Sequence, residues 1–360
     1  MIRIAALTED FDPNTRNGGI SSVLAMLQAH WATDPRVRMD IWTLRGSRAN
    51  CLHIPRVPMA GILGALRFGL HKLARSYDII FPQHAEMSFI PGASRTVCFA
   101  HTMTSVEHHQ KPKWWQAVVR FTERVALKNA DRILCLNPAI QNELVNRYKA
   151  DADKIRIVTN GINAEWWSSG TGKPDRNGLV FVGRLIRRKQ LDFAIQVVSR
   201  LGAMGCFPQL KVVGDGPEQE TVANMARPLL RSEQLVFAGW VDPATLRQYL
   251  QMAECLIFPS RSEGLPLSIL EAAAAGAIPV YGRNGSESIF QATPSIGVFV
   301  DSWNVDDWAH AIHSILTSSK NGSKLREATR SAVFKRFSPA IAADGILQNL
   351  LDVKSIRAKA

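Results

Sequence analysis

The chain has 360 residues, 46% of them hydrophobic and 21% charged, with a formal net charge of +12. This length points to two domains of ordinary size, and the composition excludes a largely disordered or fibrous chain. No stretch approaches the roughly 18 apolar residues of a membrane span, and the short apolar run Met1–Leu7 meets Glu9, Asp10 and Asp12 too soon for a signal peptide, so a cytoplasmic protein is expected.

Short apolar runs alternate with longer amphipathic segments, the pattern of an α/β protein with parallel sheets. In the first half, strands are expected at Ile2–Leu7, Val37–Leu44, Asp78–Phe81, Thr96–Ala100, Arg132–Leu136 and Ile155–Val158. Helices are expected between them at Ile20–Trp31, Gly61–Arg75, Trp114–Asn129 and Pro138–Tyr148, the last opened by Asn137 as cap and Pro138 at the first turn. Residues 168–178, small, polar and rich in Gly and Pro, read as an interdomain linker. The alternation then restarts with strands at Leu179–Val182, Leu210–Val213, Leu235–Ala238, Cys255–Phe258, Ile278–Tyr281 and Val298–Val300, and a final helix covers Pro339–Val353. The expected organisation is a first Rossmann-like domain over 1–167, the linker, a second over 179–337, and a C-terminal helix over 338–360 that packs back toward the first domain. In doubly wound sheets ligands bind at the carboxyl ends of strands, so a cleft between the domains is the expected site.

Two segments of the second half carry chemistry. Val182-Gly183-Arg184 to Lys189 ends a strand at a glycine and sets two cations, Arg184 and Lys189, beside the next helix, an arrangement suited to a diphosphate. Phe258 to Gly276 runs from a strand through a polar turn with Gly264 into a helix started by Pro266 and ended by Gly276. Free amides near Leu265 and Leu267 would receive an anion, whereas Glu263 and Glu271 would accept hydrogen bonds from sugar hydroxyls. On the plainer alternative, Glu263 complements the helix dipole and Glu271 lies on the surface.

The segment P-S-x-x-E-G-L-P-L-x-x-L-E-A-x-A-x-G, with Glu263 and Glu271 in E-x7-E spacing, resembles the signature of the retaining GT-B glycosyltransferases of family 4. The resemblance extends over nearly the whole chain: Asn17-Gly18-Gly19-Ile20 resembles the first glycine loop, and His101 stands at the family's cleft histidine. Asn160 to Asn163 resembles its N-G-[VI]-[DN] turn, Gly214 to Pro217 its G-x-G-P loop, and Phe237 to Val241 the strand that follows. It implies two doubly wound domains and a donor that is a UDP- or GDP-sugar, with no cofactor and no metal. Arg184 and Lys189 would hold the pyrophosphate, Glu271 the ribose, Glu263 the sugar hydroxyls, and His101 the transferred sugar. Gly18 or Gly19 would let the backbone approach the phosphates. The sequence departs from the family at Gln190, where glycine is usual, at Thr102, where Asp is frequent, and at Asn284-Gly285-Ser286-Glu287, a loose match to G-G-x-x-E.

Other signals are read as structural. Asp151-Ala152-Asp153 is a D-x-D without further ligands nearby and reads as a solvated loop, His108-His109 as a surface loop, and Gly214-Asp215-Gly216 as no dinucleotide fingerprint. The five cysteines are scattered without a C-x-x-C pair, and Cys98, Cys135 and Cys255 lie in apolar runs, which reads as buried thiols in a reducing compartment rather than disulfides or zinc ligands.

The charge is one-sided: Arg36 to Lys128 holds 14 basic against 5 acidic residues. Such a field suits an anionic partner. Lys111, Lys113, Trp114 and Trp115, with Arg67 and Lys72 on the preceding helix, suit an anionic inner-leaflet surface, and the acceptor would then be a lipid-linked saccharide or lipopolysaccharide precursor. The same fold acting on a soluble acceptor, or as a nucleotide-sugar epimerase or a phosphorylase, is the enzymatic alternative. A nucleic-acid-binding protein would need a stacking or groove-reading module, and none is found.

Overall fold

The computed structural model describes residues 1–11, 19–45, 50–54, 60–70, 72–88, 90, 93, 95–103, 112–166 and 176–356. They form two compact units, Met1–Gly161 with Pro339–Ala360, and Ile162–Ser338.

The first unit carries β1 (Ile2–Thr8), β2 (Val37–Thr43), β3 (Ile79–Pro82), β4 (Val97–Ala100), β5 (Arg132–Cys135) and β6 (Ile155–Ile157). They pair in parallel as β2-β1-β3 and β4-β5-β6, and a parallel bridge between Ile80 and Thr96 connects the two sheets. β3, β4 and β5 are buried along their whole length, which is why they read as unbroken apolar runs rather than alternating ones. The helices are α1 (Gly19–Trp31), α2 (Ala60–Leu70), α3 (Lys113–Asn129) and α4 (Pro138–Asn146). As its sequence predicts, α4 starts on Asn137, whose side chain accepts from the Ile140 amide at 2.7 Å, with Pro138 in the first turn.

The helix expected over Gly61–Arg75 is shorter than that. It stops at Leu70, one residue past Gly69, and a 3-10 turn covers Lys72–Ser76. A glycine near a helix end removes side-chain packing and costs backbone entropy there. Asp151-Ala152-Asp153 is likewise structural: Asp151 accepts from the Asp153 amide at 3.0 Å and caps a 3-10 turn leading into β6.

In the second unit β7 (Leu179–Val182), β8 (Leu210–Val213), β9 (Leu235–Gly239), β10 (Cys255–Phe258), β11 (Ile278–Tyr281) and β12 (Val298–Phe299) form one parallel sheet in the order β12-β11-β10-β7-β8-β9. Its helices are α5 (Leu191–Ala203), α6 (Gln219–Ala226), α7 (Pro243–Met252), α8 (Leu267–Ala275), α9 (Glu287–Gln291), α10 (Val305–Thr317) and α11 (Ser319–Phe337). Strands, α5 and α10 share one core, in which Phe193 meets Trp308 edge-on at 5.4 Å and Trp303 stacks on Trp308 at 5.9 Å.

The end of the expected linker, Arg176 to Gly178, is part of this unit: Arg176 donates to the carbonyls of Leu250, Ala253 and Ala275, and the Asn177 amide to Met252. Residues 167–175 lie outside the described residues. The last helix, α12 (Pro339–Ile356), belongs to the first unit, where Arg132 donates to the Asn349 carbonyl at 3.0 Å and His30 and Arg36 each lie 3.8 Å from Asp344.

Candidate active site

The strand order places β7 between β10 and β8, so the loops leaving their carboxyl ends adjoin. After β7 the chain turns at Gly183, and Arg187–Lys189 form a 3-10 turn that ends on Gln190 at φ 54° and ψ 46°. This left-handed geometry explains why glycine suits the position. Gln190 compensates by donating its side-chain amide to the Arg187 carbonyl at 3.0 Å.

Lys189 crosses to the β10 loop. Its Nζ lies 2.6 Å from Glu263 Oε1, with the two side chains only 14% and 11% exposed, and 5.1 Å from the Phe258 ring centroid. The same Glu263 oxygen accepts from Ser260 Oγ. Burial pushes the Glu263 carboxyl up, but the charges of Lys189 and Arg188 and the bonds from Lys189 and Ser260 outweigh it and hold the group below the ordinary carboxylate value. Lys189 and Glu263, assigned by the sequence to opposite ends of a donor, thus hold each other. Arg184 is exposed, and its guanidinium has no hydrogen bond or ion pair among the described residues.

Glu271 lies on neither loop but on α8, about one turn from its start at Leu267, and the alanine-rich face of this helix packs inward at Ala272–Ala275. The residue is half-buried, and its carboxyl, which has no hydrogen-bond partner among the described residues, is pushed up to about 7 by burial and then by the charge of Glu165. A carboxylate in this state is a ready acceptor for a ligand's hydroxyls. Pro266 precedes the helix rather than occupying its first turn, and no side chain caps the amides that follow it, beginning with Leu267. Leu265 is a core side chain, which leaves only its amide for a ligand. Gly276 ends α8 in a left-handed cap at φ 92°.

Three further residues belong to this site, although their sequence matched the family only loosely. The Asn284 carbonyl accepts from the Glu263 amide at 2.8 Å, Ser286 Oγ donates to the Gly264 carbonyl, and Glu287 Oε2 accepts from the amides of Asn284 and Gly285 at 3.0 and 2.6 Å. The loop after β11 therefore braces the Glu263 loop. Asn284 Nδ2 is buried without a hydrogen-bond partner among the described residues.

The G-x-G-P loop is a brace too. A Cβ on Gly214, at φ +126°, would lie 2.1 Å from the Gly183 carbonyl oxygen, and the Gly214 amide donates to the Gly239 carbonyl at 2.7 Å. The amide of Leu185 donates to Asp215 at 2.8 Å, and that of Glu218 to Leu185 at 3.1 Å. Backbone packs directly on backbone here and sets the turn that carries Arg184.

In the first unit, His101 follows β4. It is buried, stacks on Phe99 with centroids 3.9 Å apart, and places Nε2 3.0 Å from Gln83 Oε1. Gln83 was not singled out from the sequence. Gly19 is the exposed first residue of α1, whereas Gly18 and the His108-His109 pair lie outside the described residues. Of the expected acceptor-side residues, Arg67, Lys113 and Trp114 are exposed and Trp115 is half-buried, whereas Lys111 and the Lys72 side chain lie outside the description. The five cysteines are free; Cys98, Cys135 and Cys255 are buried, whereas Cys51 and Cys206 are half-buried, and burial pushes the thiols of Cys98 and Cys135 up to about 12, out of range for a nucleophile.

Two family matches adjoin along the chain: the one described as Glycosyltransferase Family 4 covers residues 17–166, and the one described as Glycosyl transferases group 1 covers residues 165–332. The chain belongs to the family 4 glycosyltransferases. Its relatives include a glycogen synthase of Mycobacterium tuberculosis, 27% identical over 66% of this chain and 58% of that one. The lipopolysaccharide core biosynthesis glycosyltransferase LpsE of Rhizobium meliloti is 27% identical over 62% of this chain and 65% of that one. The chain thus spans about three fifths of the length of these curated relatives. Among solved structures, the sucrose-phosphate synthase of Thermosynechococcus elongatus superposes with a TM-score of 0.80 at 18% identity, covering 100% of both chains. HepE of Anabaena in complex with UDP and glucose superposes with a TM-score of 0.74 at 16% identity, covering 98% of this chain and 100% of that one. The fold of this family 4 chain is GT-B, with two Rossmann-like domains.

Proposed function

We propose that this chain is a retaining, metal-independent glycosyltransferase that takes a UDP- or GDP-sugar and extends a lipid-linked saccharide or a lipopolysaccharide precursor. The observation that carries this reading is that the second unit holds Arg184, the Lys189–Glu263 pair and Glu271, with Arg184 and Glu271 having no side-chain partner among the described residues. The UDP and glucose bound to HepE support the donor class, and the name of LpsE supports the acceptor class.

In this reading Arg184 and Lys189 take the diphosphate, joined by the uncapped amides at the start of α8 near Gly264, Leu265 and Leu267. Cationic side chains and helix amides then do the work of a divalent ion on the leaving group. Glu271 accepts from the ribose hydroxyls. Lys189 exchanges its carboxylate for phosphate oxygens, which frees Glu263 to accept from the sugar's hydroxyls. The bond from the sugar's anomeric carbon to the diphosphate oxygen breaks, and the acceptor's hydroxyl oxygen bonds to that carbon on the same face. The acceptor's proton passes to the departing phosphate oxygen, and His101 contacts the transferred sugar. The direct test is a metal-free calorimetric titration with UDP, GDP and ADP. Selective binding of UDP or GDP is expected; failure of all three to bind, with or without magnesium, overturns the assignment.

The acceptor side rests on α3. Trp114 and Phe121, 64% and 68% exposed, lie with Val118 and Val125 on the outward side of this helix, opposite the buried Val119, Glu123, Ala126 and Leu127. Lys113, Arg124 and Lys128 flank the apolar stripe, and the one acidic residue of the helix is buried. Such a helix suits peripheral attachment at an anionic leaflet on the cytoplasmic side. No helix among the described residues is long and apolar enough to cross a membrane. Sedimentation with anionic and zwitterionic vesicles at low salt tests this, with preference for the anionic ones expected. Equal partitioning would instead direct the enzyme to a soluble acceptor.

A further inference from the structure

The chain leaving β3 and the chain leaving β4 meet at Gln83 and His101. Gln83 is 1% exposed and His101 6%. The Gln83 side chain makes two hydrogen bonds: its Nε2 donates to the Phe81 carbonyl at 3.1 Å, and its Oε1 lies 3.0 Å from His101 Nε2. The first bond decides the second. A backbone carbonyl only accepts, so the Gln83 atom facing it is the amide nitrogen, and the atom facing His101 is the amide oxygen. That oxygen also only accepts, so His101 Nε2 carries the proton.

The imidazole is neutral, because burial and then the neighbouring His84 push its pKa down to about 3. In the neutral ring the nitrogen opposite an N–H bears a lone pair, so Nδ1 is an acceptor. No group among the described residues donates to it. The stack on Phe99 at 3.9 Å restrains the ring plane, and the Gln83 bond restrains rotation within it.

We propose that Gln83 is a positioning residue that locks His101 as the Nε2–H tautomer and so presents Nδ1 as an acceptor for a hydroxyl of the transferred sugar. The lock stands on the hydrogen-bond geometry and the burial of the ring; the identity of its ligand rests on the function proposed above.

The test is nitrogen-15 NMR of the histidine side chains of the full chain, assigned with His101→Ala, first alone and then saturated with UDP-glucose or GDP-glucose, whichever base calorimetry selects. A protonated, exchange-protected Nε2 and a bare Nδ1 are expected in the free protein, with the Nδ1 resonance moving toward hydrogen-bonded values when the nucleotide sugar binds. In Gln83→Met the protected Nε2–H signal is expected to be lost, and kcat for acceptor-free hydrolysis of the same nucleotide sugar to fall about tenfold, the scale of one hydrogen bond, while affinity for the free nucleoside diphosphate stays unchanged. If Gln83→Met does not fold, Gln83→Asn withdraws the acceptor by one carbon and gives the same comparison. A proton on Nδ1 in the free protein overturns the lock. A bound nucleotide sugar that leaves the Nδ1 resonance unmoved overturns the acceptor role. If His101→Ala retains full kcat, the sugar contact assigned to His101 fails, and the Nε2 signal reports separately on the lock.

Discussion

Lys189 Nζ and Glu263 Oε1 lie 2.6 Å apart across two loops separated by 74 residues in the chain. The pair joins the turn after β7 to the turn after β10 and neutralises both charges where each side chain is nearly buried. In the proposed reaction it is a resting partnership that the donor replaces, phosphate for the carboxylate and sugar hydroxyls for the ammonium.

Removing one member of such a pair leaves the other charge buried and uncompensated. Lys189→Ala is therefore expected to lower unfolding stability by about 3 kcal/mol. Lys189→Met with Glu263→Leu is expected to lose less than Lys189→Ala alone, because no charge remains to be buried. Urea unfolding of the three proteins checks this, and a double variant as unstable as the single one would show that the pair is not insulated from water.

With Glu271 as the proposed ribose acceptor, stability and binding are expected to depend on pH in opposite senses. Its folded-state pKa of about 7 lies above the ordinary value of 4.5, so the folded chain holds a proton that the unfolded chain releases. Its contribution to stability is complete below about 4.5 and is lost as pH rises through 7. Affinity for the nucleoside diphosphate, which needs the ionised acceptor, should instead rise over the same interval. Glu271→Gln should flatten the stability profile between pH 5 and about 8. Thermal melts and calorimetric titrations of both proteins across this range are the measurement.

Gln190 is held at φ 54° and ψ 46°, a geometry that costs an L-residue about 1 kcal/mol or more relative to glycine. Gln190→Gly is expected to raise stability by up to about 1 kcal/mol, since relief of strain is partly offset by the greater entropy of glycine in the unfolded chain. Nucleotide affinity should be preserved. A loss of stability would mean that the side-chain bond to the Arg187 carbonyl outweighs the backbone strain.

Gly214 has the opposite character. Its φ of +126° and the 2.1 Å approach of a Cβ to the Gly183 carbonyl oxygen leave alanine no room, because the obstacle is backbone. Gly214→Ala is expected to cost about 2 kcal/mol or more and to weaken nucleoside diphosphate binding by displacing the turn that carries Arg184. Denaturation midpoints and calorimetry read the two effects, and an unchanged midpoint would show that the turn shifts freely.

The strands and most helices were legible because their signals are local. A fully buried strand is a short apolar run, and β7, β8, β10 and β11 begin and end where those runs do. Helix α4 was legible from Asn137 and Pro138 for the same reason, and Arg184, Lys189, Glu263 and Glu271 stood out as charges at strand ends or within an alanine-rich helix. The pairing of those charges was not legible. Which loops adjoin depends on the order β10-β7-β8, and no local periodicity encodes the order of strands in a sheet. For that reason Lys189 and Glu263 read as two separate binding groups, Asn284, Ser286 and Glu287 as a loose motif, and Gly214 as part of a G-x-G-P loop with no stated partner. Gln83 carried no signal at all: a glutamine after a strand is unremarked until β3 and β4 lie together and its amide meets both the Phe81 carbonyl and His101. The sequence by itself determined the elements and the chemical groups, because backbone propensity and burial act over a few residues. Only the tertiary structure decided which groups satisfy one another, because hydrogen bonds and charges act across a few ångströms of space, however distant along the chain their residues are.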